Sequence, residues 1–160
     1  MPLLLEELGL DGTDPRTVEW PASVPPAVRA GQHVLVIGAG MSGILAAVRL
    51  EQAGIPYTVI EKNPDVGGTW FENRYPGCRV DVGNHFYCYS FQPADHWSEY
   101  FAQAPELRAY VEQVMARHGI GAHVRYGVEA LGADWDDAAG TWTVHLDDGS
   151  TLVEIGRAHV

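Results

Sequence analysis

The chain has 160 residues, 46% of them hydrophobic, and a formal net charge of −11 at pH 7. Its length fits one domain, its apolar fraction excludes disorder over most of the chain, and its acidity excludes a general nucleic-acid binder. Two cysteines, Cys78 and Cys88, in no CxxC spacing exclude a disulfide scaffold, and a reduced, cytoplasmic setting is predicted.

Residues 1–31 are predicted to be a proline-containing lead-in, with at most a short helix over Leu3–Leu10. Leu3–Leu5 are followed by two glutamates, which is the wrong charge for a signal peptide. The uncharged run from Val34 to Val48 is interrupted by three glycines and is shorter than the roughly 20 residues of a membrane helix. The sequence therefore predicts a soluble protein without a membrane segment.

A βαβ unit begins at residue 34. Val34–Ile37 is a run of aliphatic residues that predicts a parallel strand buried on both faces. A glycine turn at Gly38–Gly43 leads into a helix that ends at Gly54, and Tyr57–Ile60 supplies the second strand. The helix residues predicted to face inward are Ile44, Ala47, Val48 and Leu50.

The glycine turn has the pattern GxGxxG. Gly38 permits a tight turn, Gly40 permits close approach to a pyrophosphate, and Gly43 permits the helix to pack on the strand. Glu61 ends the next strand, where a carboxylate accepts ribose hydroxyls and repels a 2′-phosphate. The pattern predicts an FAD or NAD site and disfavours NADP there, with a purely structural glycine turn as the alternative.

Residues 62–104 show no clear period, and long irregular regions of this kind are usually functional. Pro105 opens a helix that Gly119 ends. The apolar stripe of that helix, predicted to be core packing, is Leu107, Tyr110, Val111, Val114 and Met115. A β-meander is predicted over Val124–Val128, Leu131–Trp135, Thr141–Leu146 and a strand starting at Thr151.

The segment from Val66 to Asp81 contains the strings GGTW and NRYPG. In this order after GxGxxG and an acidic strand end, it resembles the Baeyer–Villiger-type flavin-containing monooxygenases. The resemblance extends from about His33 to Val153 and includes Asn84–Phe91. The amino-acid sequence of the segment is most similar to that of the branch that acts on aryl ketones such as hydroxyacetophenone.

At the adenosine end, the resemblance implies a site for FAD. Its pyrophosphate would be cradled by the turn residues Gly38, Gly40, Ser42 and Gly43. Glu61 would hold the adenosine ribose, and the backbone of Val128 would meet the adenine.

At the flavin end, the resemblance implies that Gly68, Thr69 and Trp70 line the path to the flavin. Tyr87 would be a further contact, and Asp81 would lie near the isoalloxazine and position a catalytic arginine. Many members have a cysteine just before that aspartate, whereas this chain has Val80 there and Cys78 two positions earlier. A role for a cysteine is therefore left open.

Other residue types give weaker indications. Arg74 and Arg79 are either surface charges or contacts for an NADPH phosphate. His85 is interpreted as a packed histidine rather than an acid–base group. No metal site is predicted from the spacing of the other histidines, and the sequence contains no GxSxG nucleophile motif.

Residues 154–160 depart from the strand pattern that Thr151 begins. Their codons can be written GAG-ATC-GGA-AGA-GCA-CAC-GTC, which contains the opening of a common sequencing adapter. We therefore divide the chain into a lead-in at 1–31, a partial FAD-binding domain at 32–153 and a non-native tail at 154–160, with the true protein continuing after about Val153. A genuine polar tail is the alternative.

The predicted fold class is α/β, a three-layer Rossmann-like FAD-binding domain with a β-meander, incomplete at its C-terminus. The resemblance implies that the intact parent uses NADPH and O₂ to oxidise a small ketone to an ester or lactone, with the NADPH site mostly in the missing part. This chain alone is predicted to be inactive. The alternatives are an N- or S-oxygenating flavin monooxygenase and a non-catalytic module that binds an adenine dinucleotide. Oligomeric state is not predicted.

Overall fold

The computed structural model describes residue 14 and residues 16–155. The helix predicted at Leu3–Leu10 lies outside them. The helices are α1 (Pro26–Ala30), α2 (Met41–Ala53), α3 (Thr69–Glu72) and α4 (Ala104–Arg117), followed by a 3₁₀ turn at Ile120–His123. The strands are β1 (Val34–Ile37), β2 (Tyr57–Glu61), β3 (Val124–Tyr126), β4 (Ala130–Asp136), β5 (Thr141–Leu146) and β6 (Thr151–Ile155). Helix α1 lies in the stretch predicted to be an extended lead-in.

A parallel sheet has β2 at its centre, with β1 on one side and β3 on the other. The predicted β1–α2–β2 unit is confirmed, including the left-handed Gly54 that ends α2. The assignment of Val124–Val128 to the meander is wrong, because Val124–Tyr126 pairs with β2 instead. A three-residue apolar run carries too little pattern to distinguish an antiparallel partner from a parallel one.

Helices α2 and α4 cover one face of this sheet. The inward residues of α2 were predicted correctly, since Ile44, Ala47 and Val48 are fully buried and Leu50 packs against them. The predicted stripe of α4 is likewise core packing. Pro105 lies within the first turn of α4, where a missing N–H has no cost.

The opposite face of the sheet is covered by β4, β5 and β6, which form an antiparallel meander. Ile60 of the parallel sheet packs there against Val144 and Leu146. The result is the predicted three-layer arrangement of helices, parallel sheet and meander. Strand β6 runs on to Ile155, two residues beyond the predicted change of pattern, and Glu154 pairs with Trp142 of β5.

Strand β1 lies at the margin of the parallel sheet within the described part of the chain. The prediction that this strand is buried on both faces is not met, because Ile37 at its end is 60% exposed. Ile37 is also the last residue before the glycine turn, so its exposed side chain stands beside the candidate site.

Between β2 and α4 the backbone is mostly irregular, as predicted, with α3 as its one helix. Asn84, which is 2% exposed, holds this segment together. Its amide group donates to the carbonyl of Glu99 and accepts from the backbone N–H of Ala102, both at 2.8 Å. Across residues 14 and 16–155, no helix is both long and apolar enough to cross a membrane.

Candidate functional site

The glycine turn joins the end of β1 to α2. Gly38 has a φ of 95°, and its N–H donates to the carbonyl of Ile60 on the neighbouring strand at 2.7 Å. A Cβ on Gly43 would lie 1.9 Å from the carbonyl oxygen of Gly38. The turn is thus so tight that Gly43 leaves no room for any side chain, as its predicted role in packing requires.

The N-terminus of α2 is open to an anion. Gly40 is its extended N-cap residue and provides no side-chain hydrogen bond, and the first turn of the helix contains no acidic residue. The first backbone N–H groups of a helix have no partner within it, and together with the helix dipole they favour negative charge. This end therefore suits a phosphate group.

A second glycine turn packs against the first. Gly67 donates its N–H to the carbonyl of Ala39 at 3.1 Å, and a Cβ on Gly68 would lie 2.9 Å from the Cα of Gly40. Gly68 has a φ of 53°, a left-handed conformation that favours glycine. Because Gly67 and Gly68 have no side chains, their turn can approach the backbone of the Gly38–Gly43 turn, which we call the phosphate turn. The two turns together form the floor of the candidate site.

Glu61 fastens the end of β2 to the glycine turn. Glu61 is only 4% exposed, and its Oε2 accepts a hydrogen bond from the N–H of Ala39 at 2.6 Å. Oε1 accepts both the backbone N–H and the side-chain Nδ2–H of Asn63 at 2.8 Å. Both carboxylate oxygens are therefore oriented by hydrogen bonds at the place where the sequence predicts a ribose.

A groove runs across the two glycine turns. It consists of two cavities of about 330 Å³ and 360 Å³ that share Ile37, Gly38, Gly40 and Gly68. The first cavity extends to Glu61 and Val128. The second extends along Ser42, Gly43, Thr69, Trp70 and Tyr87. One elongated ligand could therefore contact both ends while lying across the helix N-terminus.

The far wall of the second cavity is aromatic. Trp70 is buried, and its indole N–H donates to the hydroxyl of Tyr87 at 3.2 Å. The two rings meet edge to face, with centroids 5.6 Å apart. This arrangement presents a fixed apolar surface suited to a planar ring system.

The rim of the first cavity is acidic. Lys62 forms an ion pair with Glu72 at 3.0 Å, which raises the pKa of the lysine, and Glu129 lies nearby on the same rim. Hydrogen bonds from Asn63 and Lys62 lower the pKa of Glu72. With Lys62 neutralised in this way, the rim retains negative charge, which disfavours a 2′-phosphate.

The structure brings together every predicted cofactor-contacting residue except Asp81. Asp81 is exposed and lies outside the lining of both cavities. Asn63, which orients Glu61, was missed by sequence reasoning. Its position two residues after a strand end, where asparagine commonly bonds local backbone and side chains, is the signal that could have identified it.

The residues present fit the dinucleotide FAD. The fit rests on the tight packing of the two glycine turns, which Gly43 and Gly68 permit, on the uncapped start of α2 and on the oriented carboxylate of Glu61. These three features suit a pyrophosphate and a ribose, and the aromatic wall suits a flavin ring.

Comparison with known proteins agrees with this geometry. The sequence family described as NAD(P)-binding Rossmann-like domain matches residues 36–104. A Baeyer–Villiger monooxygenase of Streptomyces coelicolor is 38% identical over 124 residues, which is 77% of this chain and 24% of that protein. A FAD-binding monooxygenase of Dothistroma septosporum is 42% identical over 116 residues, 71% of this chain and 18% of that protein.

Among solved structures, that of OTEMO in complex with FAD and NADP superposes with a TM-score of 0.73 at 36% identity, and the match covers 78% of this chain and 24% of that one. The predicted fold and the resemblance to Baeyer–Villiger-type monooxygenases are thereby confirmed over the matched residues. The chain spans about a fifth to a quarter of the length of the curated relatives it matches. Its similarity to the aryl-ketone branch stays a prediction.

Proposed function

We propose that this chain is the FAD-binding N-terminal part of an NADPH- and O₂-dependent flavin monooxygenase that oxidises ketones to esters or lactones. The observation that carries the proposal is the continuous groove from Glu61, across two glycine turns, to Trp70 and Tyr87. Its length and chemistry suit a dinucleotide that ends in a large planar ring. The similarity to enzymes named Baeyer–Villiger and FAD-binding monooxygenases supports the choice of reaction.

In this proposal, Gly38, Gly40, Ser42 and Gly43 hold the pyrophosphate through backbone N–H groups. Glu61 accepts hydrogen bonds from the ribose hydroxyls, and the backbone at Val128 borders the adenine. Gly68, Thr69, Trp70 and Tyr87 border the flavin. When bound, FAD supplies the redox chemistry, accepting hydride from NADPH and activating O₂ for insertion beside a carbonyl carbon.

Asp81 has a separate role in the proposal. Its exposed carboxylate would meet an arginine supplied by the remaining polypeptide and hold that arginine beside the flavin. NADPH and ketone would bind mostly to that remaining polypeptide, and the chain alone would not turn over. A cytoplasmic location is part of the proposal and is supported by the free thiols of Cys78 and Cys88.

Ligand titration of the 160-residue chain tests the proposal. We expect FAD to bind with quenching of its fluorescence, because an aromatic wall adjoins the flavin end. ADP should bind more weakly, and adenosine 2′,5′-bisphosphate should bind more weakly than ADP because of the acidic rim. Failure of FAD to bind, with the chain folded by circular dichroism, would overturn the proposal.

A second candidate is a module that binds NAD without catalysis, which the family description of residues 36–104 favours. The nicotinamide ring of NAD is much smaller than the three-ring isoalloxazine of FAD and would cover less of the aromatic wall. Tighter binding of NAD than FAD, without FAD quenching, would select this alternative. In a protein extended by the remaining polypeptide, an ester product from a ketone, rather than an oxide of an amine or sulfide, would identify the reaction.

A further inference from the structure

Tyr89 makes a hydrogen bond that links the irregular segment to the phosphate-binding helix. Its hydroxyl donates to the backbone carbonyl of Met41 at 2.6 Å across 48 residues of sequence. Met41 is the first residue of α2 and follows Gly40 directly. The irregular segment is therefore fastened to the helix turn that faces the candidate pyrophosphate.

Helix α4 fixes Tyr89 from the other side. The backbone N–H of Tyr89 donates to the hydroxyl of Tyr110 at 2.7 Å, and that hydroxyl donates to the carbonyl of Gln92 at 2.7 Å. The Tyr89 and Tyr110 rings stack with centroids 5.7 Å apart. Because both its backbone and its ring are held, the Tyr89 hydroxyl has a defined direction toward Met41.

The flavin end of the groove depends on the same segment. Tyr87, two residues before Tyr89, lines the cavity that Met41 also lines. The backbone N–H of Tyr87 donates to the carbonyl of Asn84 at 3.0 Å, which holds the segment at its other side. The position of Tyr87 relative to the Gly38–Gly43 turn is thus set by the Tyr89–Met41 contact together with the hydrogen bond from Trp70.

We propose that Tyr89 is a positioning residue that sets the aromatic wall at the correct distance from the phosphate turn for a bound flavin. The inference rests on the proposed function. Burial raises the pKa of Tyr89, so its hydroxyl stays protonated and acts as a donor at neutral pH. The carbonyl of Met41 keeps its helical hydrogen bond when the hydroxyl is removed, so the loss acts on position more than on helix formation.

The test compares Tyr89→Phe with Tyr126→Phe, which also removes one hydroxyl, donated by a half-buried tyrosine to Met115 Sδ at 3.4 Å, and leaves every contact of Tyr89 intact. FAD and ADP are titrated into each folded variant and into the unchanged chain. We expect Tyr89→Phe to weaken FAD binding roughly tenfold, the equivalent of one hydrogen bond, and to leave ADP within about twofold. Flavin fluorescence at saturation should be less quenched in this variant. Tyr126→Phe should retain the ratio of FAD to ADP affinity of the unsubstituted chain.

Each outcome separates the two levels of the proposal. Suppose that the unsubstituted chain binds FAD. If Tyr89→Phe then changes the affinities for FAD and ADP by the same factor, or changes neither affinity, the positioning role of Tyr89 is wrong while the FAD site stands. If the unchanged chain does not bind FAD, the proposed function fails and the inference fails with it.

If Tyr89→Phe does not fold, amide hydrogen exchange of the unsubstituted chain tests the positioning role instead. FAD should slow amide exchange over residues 84–92 and ADP should not, because only the flavin reaches the wall. Equal protection by both ligands, or no protection by FAD, would contradict the positioning role.

Discussion

The groove is built differently at its two ends. At the Glu61 end, the ends of β1 and β2 and the glycine turn between β1 and α2 line the cavity, and the side chain of Glu61 is held by hydrogen bonds from Ala39 and Asn63. At the Tyr87 end, the wall is made of side chains from an irregular segment, held by contacts that span 17 to 48 residues of sequence. The first end is determined by the backbone geometry of the βαβ unit, and the second by side-chain packing between the irregular segment and the helices.

This difference predicts how each end responds to substitution. A change at the glycine turn should disturb the backbone that every ligand shares, whereas a change in the irregular segment should affect the flavin and spare the adenosine. Three substitutions test that separation and a fourth tests a half-buried histidine outside the groove, from the largest expected effect to the smallest.

Gly43→Ala should have the largest effect. The added Cβ would meet the carbonyl oxygen of Gly38 at 1.9 Å, and the contact is with backbone that cannot move without opening the turn. We expect the free energy of unfolding to fall by about 3 kcal/mol or more, with loss of both FAD and ADP binding. Urea denaturation and ligand titration measure the two effects.

Gly121→Ala is the matched control, because a Cβ at Gly121 meets nothing within 4 Å. Its stability and ligand affinities should equal those of the unchanged chain. A Gly43→Ala chain of normal stability and affinity would show that the turn is not the rigid element we describe.

Asn84→Ala should act on the flavin end alone. The substitution leaves the carbonyl of Glu99 and the N–H of Ala102 without their side-chain partner in a buried site. We expect a loss of roughly 2–3 kcal/mol in the free energy of unfolding, and a larger loss of FAD affinity than of ADP affinity.

The exposed Asn73, whose side chain donates to the carbonyl of Thr69, provides the control. Asn73→Ala should be nearly neutral because water replaces its bond. Equal weakening of FAD and ADP by Asn84→Ala would mean that the two ends are not separable.

Glu61→Gln should act on the adenosine end. The neutral amide keeps the shape of the side chain but replaces one of the two carboxylate oxygens with an NH₂ group. The remaining oxygen accepts hydrogen bonds more weakly, and the NH₂ group cannot accept a hydrogen bond from a ribose hydroxyl. We expect FAD and ADP affinity to fall together by roughly tenfold, about 1.4 kcal/mol. Adenosine 2′,5′-bisphosphate should lose less, because a repelling charge has been removed. Isothermal titration calorimetry with the three ligands gives the ranking.

Glu129→Gln tests whether rim charge alone explains this result, since Glu129 lies on the same rim and is exposed. This variant should bind FAD and ADP normally. If it weakens them as much as Glu61→Gln, the oriented carboxylate has no special role.

The smallest expected effect is the contribution of His118 to the pH dependence of stability. Burial lowers its pKa below 6.5, and the charges of Arg117 and Arg49 lower it further. Between the folded pKa and 6.5, the unfolded chain binds more protons, so stability falls as pH decreases through this window. We expect His118 to contribute less than about 1 kcal/mol to this fall.

Urea unfolding of the unchanged chain and of His118→Gln from pH 7 to pH 5 isolates the contribution as a difference in slope. If the free energy of unfolding of His118→Gln fell more steeply with decreasing pH than that of the unsubstituted chain, the predicted lowering of the His118 pKa would be wrong.

The same contrast explains what could be predicted from the sequence. GxGxxG, the aliphatic run before it and Glu61 lie within one short stretch, and their spacing alone predicts the βαβ unit, which the structure confirms, and the proposed adenosine site at its end. The two glycine turns were both visible as motifs. Their mutual contact was not, because nothing in the spacing of Gly40 and Gly68 states that their backbones touch.

At the flavin end, Tyr87 and Trp70 were identified only through resemblance to a family. Their hydrogen bond depends on how an irregular segment folds back, which hydrophobic periodicity does not describe. The partner of β3 was misassigned for a similar reason, since pairing of a short strand is decided by distant residues. Asp81 stays a prediction, because the partner proposed for it lies outside this chain.

The exposed margin of β1 has a practical consequence. Among residues 14 and 16–155, no strand pairs with the outer side of β1, and its four residues, Val34–Ile37, include no charge and no proline, the features with which proteins usually protect such an edge from intermolecular pairing. Chains at high concentration should therefore aggregate edge to edge, and such pairing would bring Ile37 of one molecule against the groove of another. Dilution then becomes a control for every titration, with light scattering to show where self-association begins to compete with ligand.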